Sequence, residues 1–268
     1  MTELPNPTLL AQCRWPDLPA RYDAALREAV TWIVGRFPDV VAIMACGTII
    51  RGEPRPTSDL DIYVVRRAPY RQRVQRRFRD VPAEIFVNPA RQVREYLAHE
   101  QRAGRVITAH MLATGFVVLA VDDTLALLQA EARRSLAASP AWDAQQLTAA
   151  RYMAVCRYED ATDVAADRPE TASMILALAV HAMLTYRFLQ ADRYLPRDKD
   201  LLRELAAFDP ALAATARAFY AAPDLACRLA LAEQLADAIL ETRVFFPWES
   251  VVEAVGCETK KPEELSSG

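Results

Sequence analysis

Hydrophobic positions change from a helical to a strand-like spacing near residue 38. Apolar residues recur every three or four positions over residues 20–36, which predicts an amphipathic helix that ends at Pro38. Residues 40–45 form a short apolar run rich in β-branched side chains, which indicates a buried strand. The turn-rich stretch GTIIRGEPRPTS follows and leads into a second predicted strand, DLDIYVV.

Alternation along this second strand places its two acidic residues on one face. Asp59, Asp61 and Tyr63 share that face, and the residues between them are apolar. A later stretch, VPAEIFVNP, alternates in the same way and predicts a third strand with Glu84 and Phe86 on its less apolar face. The stretch GFVVLAVDD fits either a last strand or the approach to a helix.

Helical spacing dominates the chain from Pro89 onward. Helices are predicted over residues 90–103, 124–137, 141–166, 169–191, 198–207, 210–220 and 225–244. Strands first and helices afterwards predict an α+β fold. We expect an α/β domain with a short mixed sheet over residues 1–138, a helical bundle over 139–256, and a disordered tail over 257–268.

Composition excludes several classes of protein and partner. The 268 residues are 52% hydrophobic and carry a net charge of −3, so no overall positive field attracts a long nucleic acid. The arginine-rich residues 66–79 are interpreted as a solvated face, although a short RNA stays open as a ligand. Five single cysteines without a CxxC pair indicate a reducing compartment. Without a signal-peptide pattern, and with a polar-interrupted apolar run at residues 174–189, we expect a cytoplasmic protein that does not bind membranes.

The pair Asp59 and Asp61 carries the strongest chemical signal. Two carboxylates on one strand face repel each other, by about 4 kcal/mol at about 4 Å and an effective dielectric of about 20. An arginine partner, a shared proton or a divalent cation would relieve that repulsion, and Mg²⁺ prefers one or two carboxylates plus substrate phosphates. Glu84 could supply a third oxygen ligand or a base, or it could be an outward-facing residue paired with an arginine.

The turn before these acids has the properties of a phosphate-binding loop. Gly47 permits close backbone approach, and the Thr48 hydroxyl can donate to a phosphate oxygen. Arg51 and Arg55 add positive charge. Together with three carboxylates, these parts are those of metal-assisted nucleotidyl or phosphoryl transfer.

These residues carry a resemblance to a known family. Gly47-Thr48, ten residues, and then Asp59-Leu60-Asp61 resemble the G-S-x10-D-x-D signature of nucleotidyltransferases in the DNA polymerase beta-like superfamily. The flanking RGEPRPTSDLDIYVV is similar to the sequence that is typical of that family around the signature. One difference is Thr48, which stands where the family usually has serine. The later stretch YLPRDKDLLREL is similar to the helical domain of kanamycin nucleotidyltransferase-like two-domain enzymes.

The resemblance implies roles for individual residues. The metal ligands would be Asp59, Asp61 and Glu84, which with Glu159 form the implied catalytic set. The nucleotide would be held by residues with small, hydroxyl or cationic side chains: Gly47, Thr48, Arg51, Ser58 and Lys199. Either Glu84 or an acid within residues 159–163 would be the general base. Two of these roles have simpler alternatives, because residues 159–163 could be the wet face of a helix and Lys199 an ordinary first-turn residue.

The resemblance also implies an activity. It points to a magnesium-dependent nucleotidyltransferase with one or two Mg²⁺ ions, which transfers a nucleoside monophosphate to a hydroxyl of a small acceptor such as an aminoglycoside-like compound. The expected donor is ATP, which would supply AMP, and another nucleoside triphosphate would supply its own monophosphate. The alternatives are AMPylation of a protein or an RNA end in a toxin–antitoxin-type system, and a non-catalytic nucleotide-binding regulator. A homodimer is a further expectation, because related two-domain enzymes sometimes dimerise to complete the cleft.

Overall fold

The computed structural model describes residues 6–250 and 252, and these divide into two compact units. The first unit contains the described residues up to Ala141 together with Ala191–Asp198. The second contains Trp142–Gln190 and the described residues from Lys199 onward. The predicted tail, residues 257–268, lies outside the described part of the chain.

The first unit is a mixed α/β structure. Its described residues form the strands β1 (Val40–Cys46), β2 (Leu60–Arg66), β3 (Gln72–Phe78), β4 (Val81–Pro89) and β5 (Phe116–Ala120). The accompanying helices are α1 (Pro7–Ala11), α2 (Ala20–Arg36), α3 (Gly47–Ile50), α4 (Ala90–Arg102), α5 (Ile107–Thr114) and α6 (Thr124–Ala137). The predicted α+β class is thereby confirmed.

The strands form one mixed sheet in the order β3-β4-β2-β1-β5. Strands β2 and β4 are parallel, whereas the other three neighbouring pairs are antiparallel. The arginine-rich strand β3 is at one edge, where an exposed row of charged side chains discourages pairing with another sheet.

Period-two alternation in the central strands supplies a hydrophobic core on each face of the sheet. Helix α2 covers one face, where Ile62 and Ile85 are fully buried. Helices α4, α5 and α6 cover the other, with Tyr63 and Met44 among the buried residues. Each fully buried large side chain contributes roughly 1.5–3 kcal/mol to stability. The sheet is therefore held from both sides, which fixes the positions of its strand ends.

The second unit is helical throughout its described residues. It contains α7 (Ala144–Asp163), α8 (Pro169–Gln190), α9 (Leu201–Phe208), α10 (Pro210–Ala221) and α11 (Leu225–Leu240). Helix α8 packs against α7, α9 and α11 and buries residues along most of its length. Asp209 caps the N-terminus of α10, since its carboxylate accepts the N–H of Leu212 at 3.2 Å, and it also pairs with Arg187 at 3.0 Å. The predicted helical bundle is confirmed.

By length and composition alone, α8 would suffice to cross a bilayer. Half of its most apolar stretch is buried inside the protein. The same burial is found in core helices of water-soluble proteins, so length and composition are weak evidence for a membrane span.

The structure corrects several predicted elements. The predicted helix at residues 198–207 begins as a 3₁₀ turn, Asp198–Asp200, before α9. The helix predicted to reach residue 244 ends at Leu240, because Glu241 adopts a left-handed conformation with φ of 57°. Strand β3 and helices α1, α3 and α5 were not predicted, and GFVVLAVDD contains strand β5.

Candidate active site

Three acidic residues meet at one end of the parallel strand pair. Asp61 in β2 lies directly opposite Glu84 in β4, and Asp59 precedes β2 by one residue. One carboxylate oxygen from each of the three can be chosen so that all lie within 4.8 Å of one another. Asp61 and Glu84 are half-buried. The predicted metal ligands are thus close together in the structure.

Gly47 leaves the space in which this cluster sits. It follows β1 directly and has a φ of +83°, a conformation that residues with side chains rarely adopt. A Cβ at this position would lie 2.2 Å from Oδ2 of Asp61. Any larger residue would therefore push the Asp61 carboxylate out of place.

Thr48 and Ser58 bring two hydroxyl groups together next to Gly47. Their oxygens are 3.2 Å apart, and either hydroxyl could be the donor. Ser58 Oγ also accepts the backbone N–H of Arg55 at 2.8 Å, while the carbonyl of Thr48 accepts the N–H of Glu53 at 2.9 Å. The loop from α3 to β2 is closed on itself by these bonds. Arg55 lies within that loop and is exposed.

The pKa of Cys46, the last residue of β1, is influenced by two charged residues of the candidate site. The pKa of its thiol is raised to about 12, mainly by burial and in smaller part by the charge of Asp61, while the charge of Arg51 acts in the opposite direction. Asp61 and Arg51 are therefore both close enough to influence the end of β1. A thiol with this pKa stays protonated near neutrality, so Cys46 is unsuited to act as a nucleophile.

Glu84 has two partners on the edge strand that the sequence did not single out. Its Oε1 accepts bonds from Nε of Arg73 at 2.7 Å and from Nε2 of Gln75 at 3.0 Å, and Nη2 of Arg73 lies 2.6 Å away. The guanidinium of Arg73 also stacks over the ring of Phe86, 4.9 Å from its centroid. Glu84 is therefore paired with an arginine, as one of the two alternatives for it required. It also belongs to the acidic cluster, as the other alternative required.

The two predicted site residues Glu159 and Lys199 belong to the second unit. Glu159 is half-buried, and its Oε1 accepts the backbone N–H of Phe245 at 2.7 Å. That bond ties the segment after α11 to α7, which is a structural role. Lys199 is exposed in the 3₁₀ turn before α9. Their roles in base catalysis and phosphate binding stay predictions.

The donor set of the acidic cluster fits a divalent metal ion. Carboxylate oxygens are the hard ligands that Mg²⁺ prefers, and Mg²⁺ usually takes few protein ligands and keeps positions for water and phosphate. Asp59, Asp61 and Glu84 would be the residues that hold it.

Comparison with known proteins gives a similarity of fold to solved structures. No protein-family model and no curated protein matches the chain. Among solved structures, the chain is similar to a nucleotidyltransferase-like protein from Exiguobacterium sibiricum 255-15, with 14% identical residues and a TM-score of 0.48. The similarity covers 76% of this chain and 70% of that one. A likeness of this size says nothing about the activity of this chain.

Proposed function

We propose that the protein is a magnesium-dependent nucleotidyltransferase, which moves a nucleoside monophosphate from a triphosphate to a hydroxyl group. The observation that supports this most strongly is the register of β2 and β4, which sets Asp61 beside Glu84 with Asp59 close by. Gly47 supports the proposal as well, because the absence of a side chain at this position leaves room for the Asp61 carboxylate. A cluster that served only to bind a partner would gain nothing from three mutually repelling carboxylates.

The proposed reaction is a substitution at the α-phosphorus. The oxygen of the acceptor hydroxyl forms a bond to that phosphorus, the bond to the bridging oxygen breaks, and pyrophosphate leaves. The hydroxyl proton passes to a carboxylate, for which Glu84 and an acid within residues 159–163 are the candidates. Mg²⁺, when bound, would neutralise charge on the triphosphate and on the leaving pyrophosphate.

The residues around the cluster would orient the nucleotide. The hydroxyls of Thr48 and Ser58 are close enough together to donate to oxygens of one phosphate group. Arg51 and Arg55, both exposed at the same turn, would add positive charge toward the triphosphate. ATP as donor and an aminoglycoside-like compound as acceptor rest on the resemblance of the sequence motif.

Label transfer tests this proposal. The protein is incubated with Mg²⁺ and each of four nucleoside triphosphates labelled either at the α- or at the γ-phosphate. Three kinds of acceptor are supplied: amino-polyols, proteins and short RNA. We expect the α-label, and not the γ-label, to appear on one kind of acceptor, whereas a phosphoryl transferase would move the γ-label.

The decisive variant is Asp61→Asn, which keeps the shape of the side chain and removes its charge. Asp17→Asn makes the same change at an exposed position in the same unit and should keep full activity. We expect Asp61→Asn to reduce α-label transfer at least about 100-fold, a size typical of lost transition-state charge stabilisation. Equal inactivity of wild type and Asp61→Asn with every triphosphate and acceptor would count against the proposal.

A further inference from the structure

The Glu84 carboxylate is held from one side only. Among the described residues, its hydrogen bonds from Arg73 and Gln75 both end on Oε1. The other oxygen, Oε2, accepts none of these bonds. The carboxylate is thus held in place by β3, and one oxygen is left for a ligand.

Strand register explains why two side chains reach the same oxygen. In the antiparallel pair β3–β4, Gln75 lies opposite Glu84 and Arg73 lies opposite Phe86. Residues two apart share a face, so the side chains of Arg73 and Gln75 both lie on the face that carries Glu84. The ring of Phe86 supports the guanidinium of Arg73 from below.

The two donors differ in one respect that matters for a metal ion. Gln75 is neutral, whereas Arg73 brings a permanent positive charge to a carboxylate that belongs to the acidic cluster. That charge offsets part of the repulsion among the three acids. The same charge repels a dication at the cluster, because the guanidinium and the dication would both lie next to the Glu84 carboxylate.

We propose that Arg73 is a positioning residue that makes metal binding depend on the triphosphate. It holds Glu84 while the metal is absent and opposes the binding of a free dication. A metal ion that is bound to a triphosphate arrives together with the negative charge of the phosphates. The guanidinium of Arg73 can then leave Glu84 and pair with that charge. This inference rests on the proposed function, since it takes the acidic cluster to be the metal site.

Direct titration with Mn²⁺ tests the inference without any acceptor. Binding is followed by the loss of the free-ion signal in electron paramagnetic resonance, with and without inorganic tripolyphosphate. In the wild type we expect weak binding of Mn²⁺ alone and at least tenfold tighter binding with tripolyphosphate. Arg73→Met should bind Mn²⁺ alone at least fivefold more tightly than the wild type and should gain less than threefold from tripolyphosphate.

Three further variants separate charge from structure. Arg73→Lys keeps the positive charge and should behave as the wild type. Gln75→Met removes the neutral donor to the same oxygen, and Arg77→Met removes a cation from the same strand; each should leave the affinity for Mn²⁺ within twofold. The side chain of Arg73 is 65% exposed, so its replacement should leave the fold intact, which circular dichroism checks.

The outcomes distinguish this inference from the proposed function. Unchanged or weaker binding of Mn²⁺ to Arg73→Met overturns the role of Arg73, provided that Asp61→Asn still loses binding. An equal gain in Arg77→Met also overturns it, because the effect would then be one of overall charge. If Asp61→Asn binds Mn²⁺ as well as the wild type, the metal site fails and the proposed function fails with it.

Discussion

Gly47 and Asp61 are in such close contact that a Cβ on residue 47 would lie 2.2 Å from Oδ2 of Asp61. The glycine is thus required twice, once by its φ of +83° and once by the carboxylate beside it. Gly52 satisfies only the first condition, since its φ is +78° and nothing lies within 4 Å of the position of its Cβ. The two glycines can therefore separate backbone strain from displacement of the acid.

Gly47→Ala should weaken both the fold and the metal site. We expect the free energy of unfolding to fall by roughly 2–4 kcal/mol, from left-handed backbone strain and from the clash with Asp61. Mn²⁺ binding should weaken at least about tenfold, a cost of about 1.4 kcal/mol. Gly52→Ala should lose only about 1–2 kcal/mol of stability and keep Mn²⁺ binding. Urea unfolding and Mn²⁺ titration measure both quantities, and equal effects of the two substitutions would contradict the explanation.

Thr48→Ala should impair the use of the triphosphate. Loss of one hydroxyl donor to a phosphate oxygen is expected to cost about 1.5–2 kcal/mol, which raises KM for the nucleotide roughly 10- to 30-fold. Thr48→Ser keeps the hydroxyl and should stay within about threefold of the wild type. A matched control is Thr114→Ala, because Thr114 is exposed and donates to the carbonyl of His110 in its own helix. Initial-rate kinetics decide, and an unchanged KM in Thr48→Ala would remove Thr48 from the nucleotide site.

Asp59→Asn should be at least as stable as the wild type without metal and less stable than the wild type when Mn²⁺ is present. Without metal, the variant loses one of three repelling charges and should be at least as stable as the wild type. With Mn²⁺ at about 100 times its Kd, the wild type should gain about 2.7 kcal/mol and the variant much less. Thermal unfolding with Mn²⁺ and with a chelator measures this. An equal rise of Tm on addition of Mn²⁺ to the wild type and to Asp59→Asn would contradict a role of Asp59 in metal binding.

The elements that local patterns define agree well between sequence and structure. The helices predicted at residues 20–36 and 124–137 have the bounds of α2 and α6. Their hydrophobic periodicity alone predicts them, because each buries one face. Strand β3 was missed because its sequence, QRVQRRF, is dominated by arginine and glutamine. Its strand conformation depends on pairing with β4, which is a tertiary effect.

The same division applies to the candidate site. Asp59 and Asp61 could be placed on one face from the period of a strand, and Glu84 from the alternation of the next predicted strand. The bonds from Arg73 and Gln75 to Glu84 depend on the register between β3 and β4, which alternation within a single strand does not determine. Sequence reasoning thus finds the acids and misses the residues that hold one of them.

Asp39 anchors the opposite end of β2 through a nearly buried arginine, and its replacement should make stability less dependent on pH. Arg66 is 7% exposed and donates to Asp39 at 2.8 and 3.2 Å, while the N–H of Ala68 donates to the same carboxylate at 2.7 Å. Burial opposes ionisation of Asp39, but these hydrogen bonds and the charge of Arg66 outweigh it and lower its pKa below the usual value. A lowered carboxyl pKa stabilises the fold above the unfolded-state pKa, and this contribution is lost as the pH falls through the folded-state pKa.

Asp39→Asn should therefore lower the free energy of unfolding by about 2 kcal/mol near pH 7, because it leaves a buried guanidinium without its counter-charge. The difference from the wild type should shrink as the pH falls below about 4, where the wild-type carboxyl also becomes protonated. Asp23→Asn is the matched control, since Asp23 pairs with Arg27 on the surface of α2 and should cost no more than about 0.5 kcal/mol. Urea unfolding across this pH range measures both variants. A penalty for Asp39→Asn that is as large in acid as at neutral pH would show that the carboxylate charge is not what stabilises this end of β2.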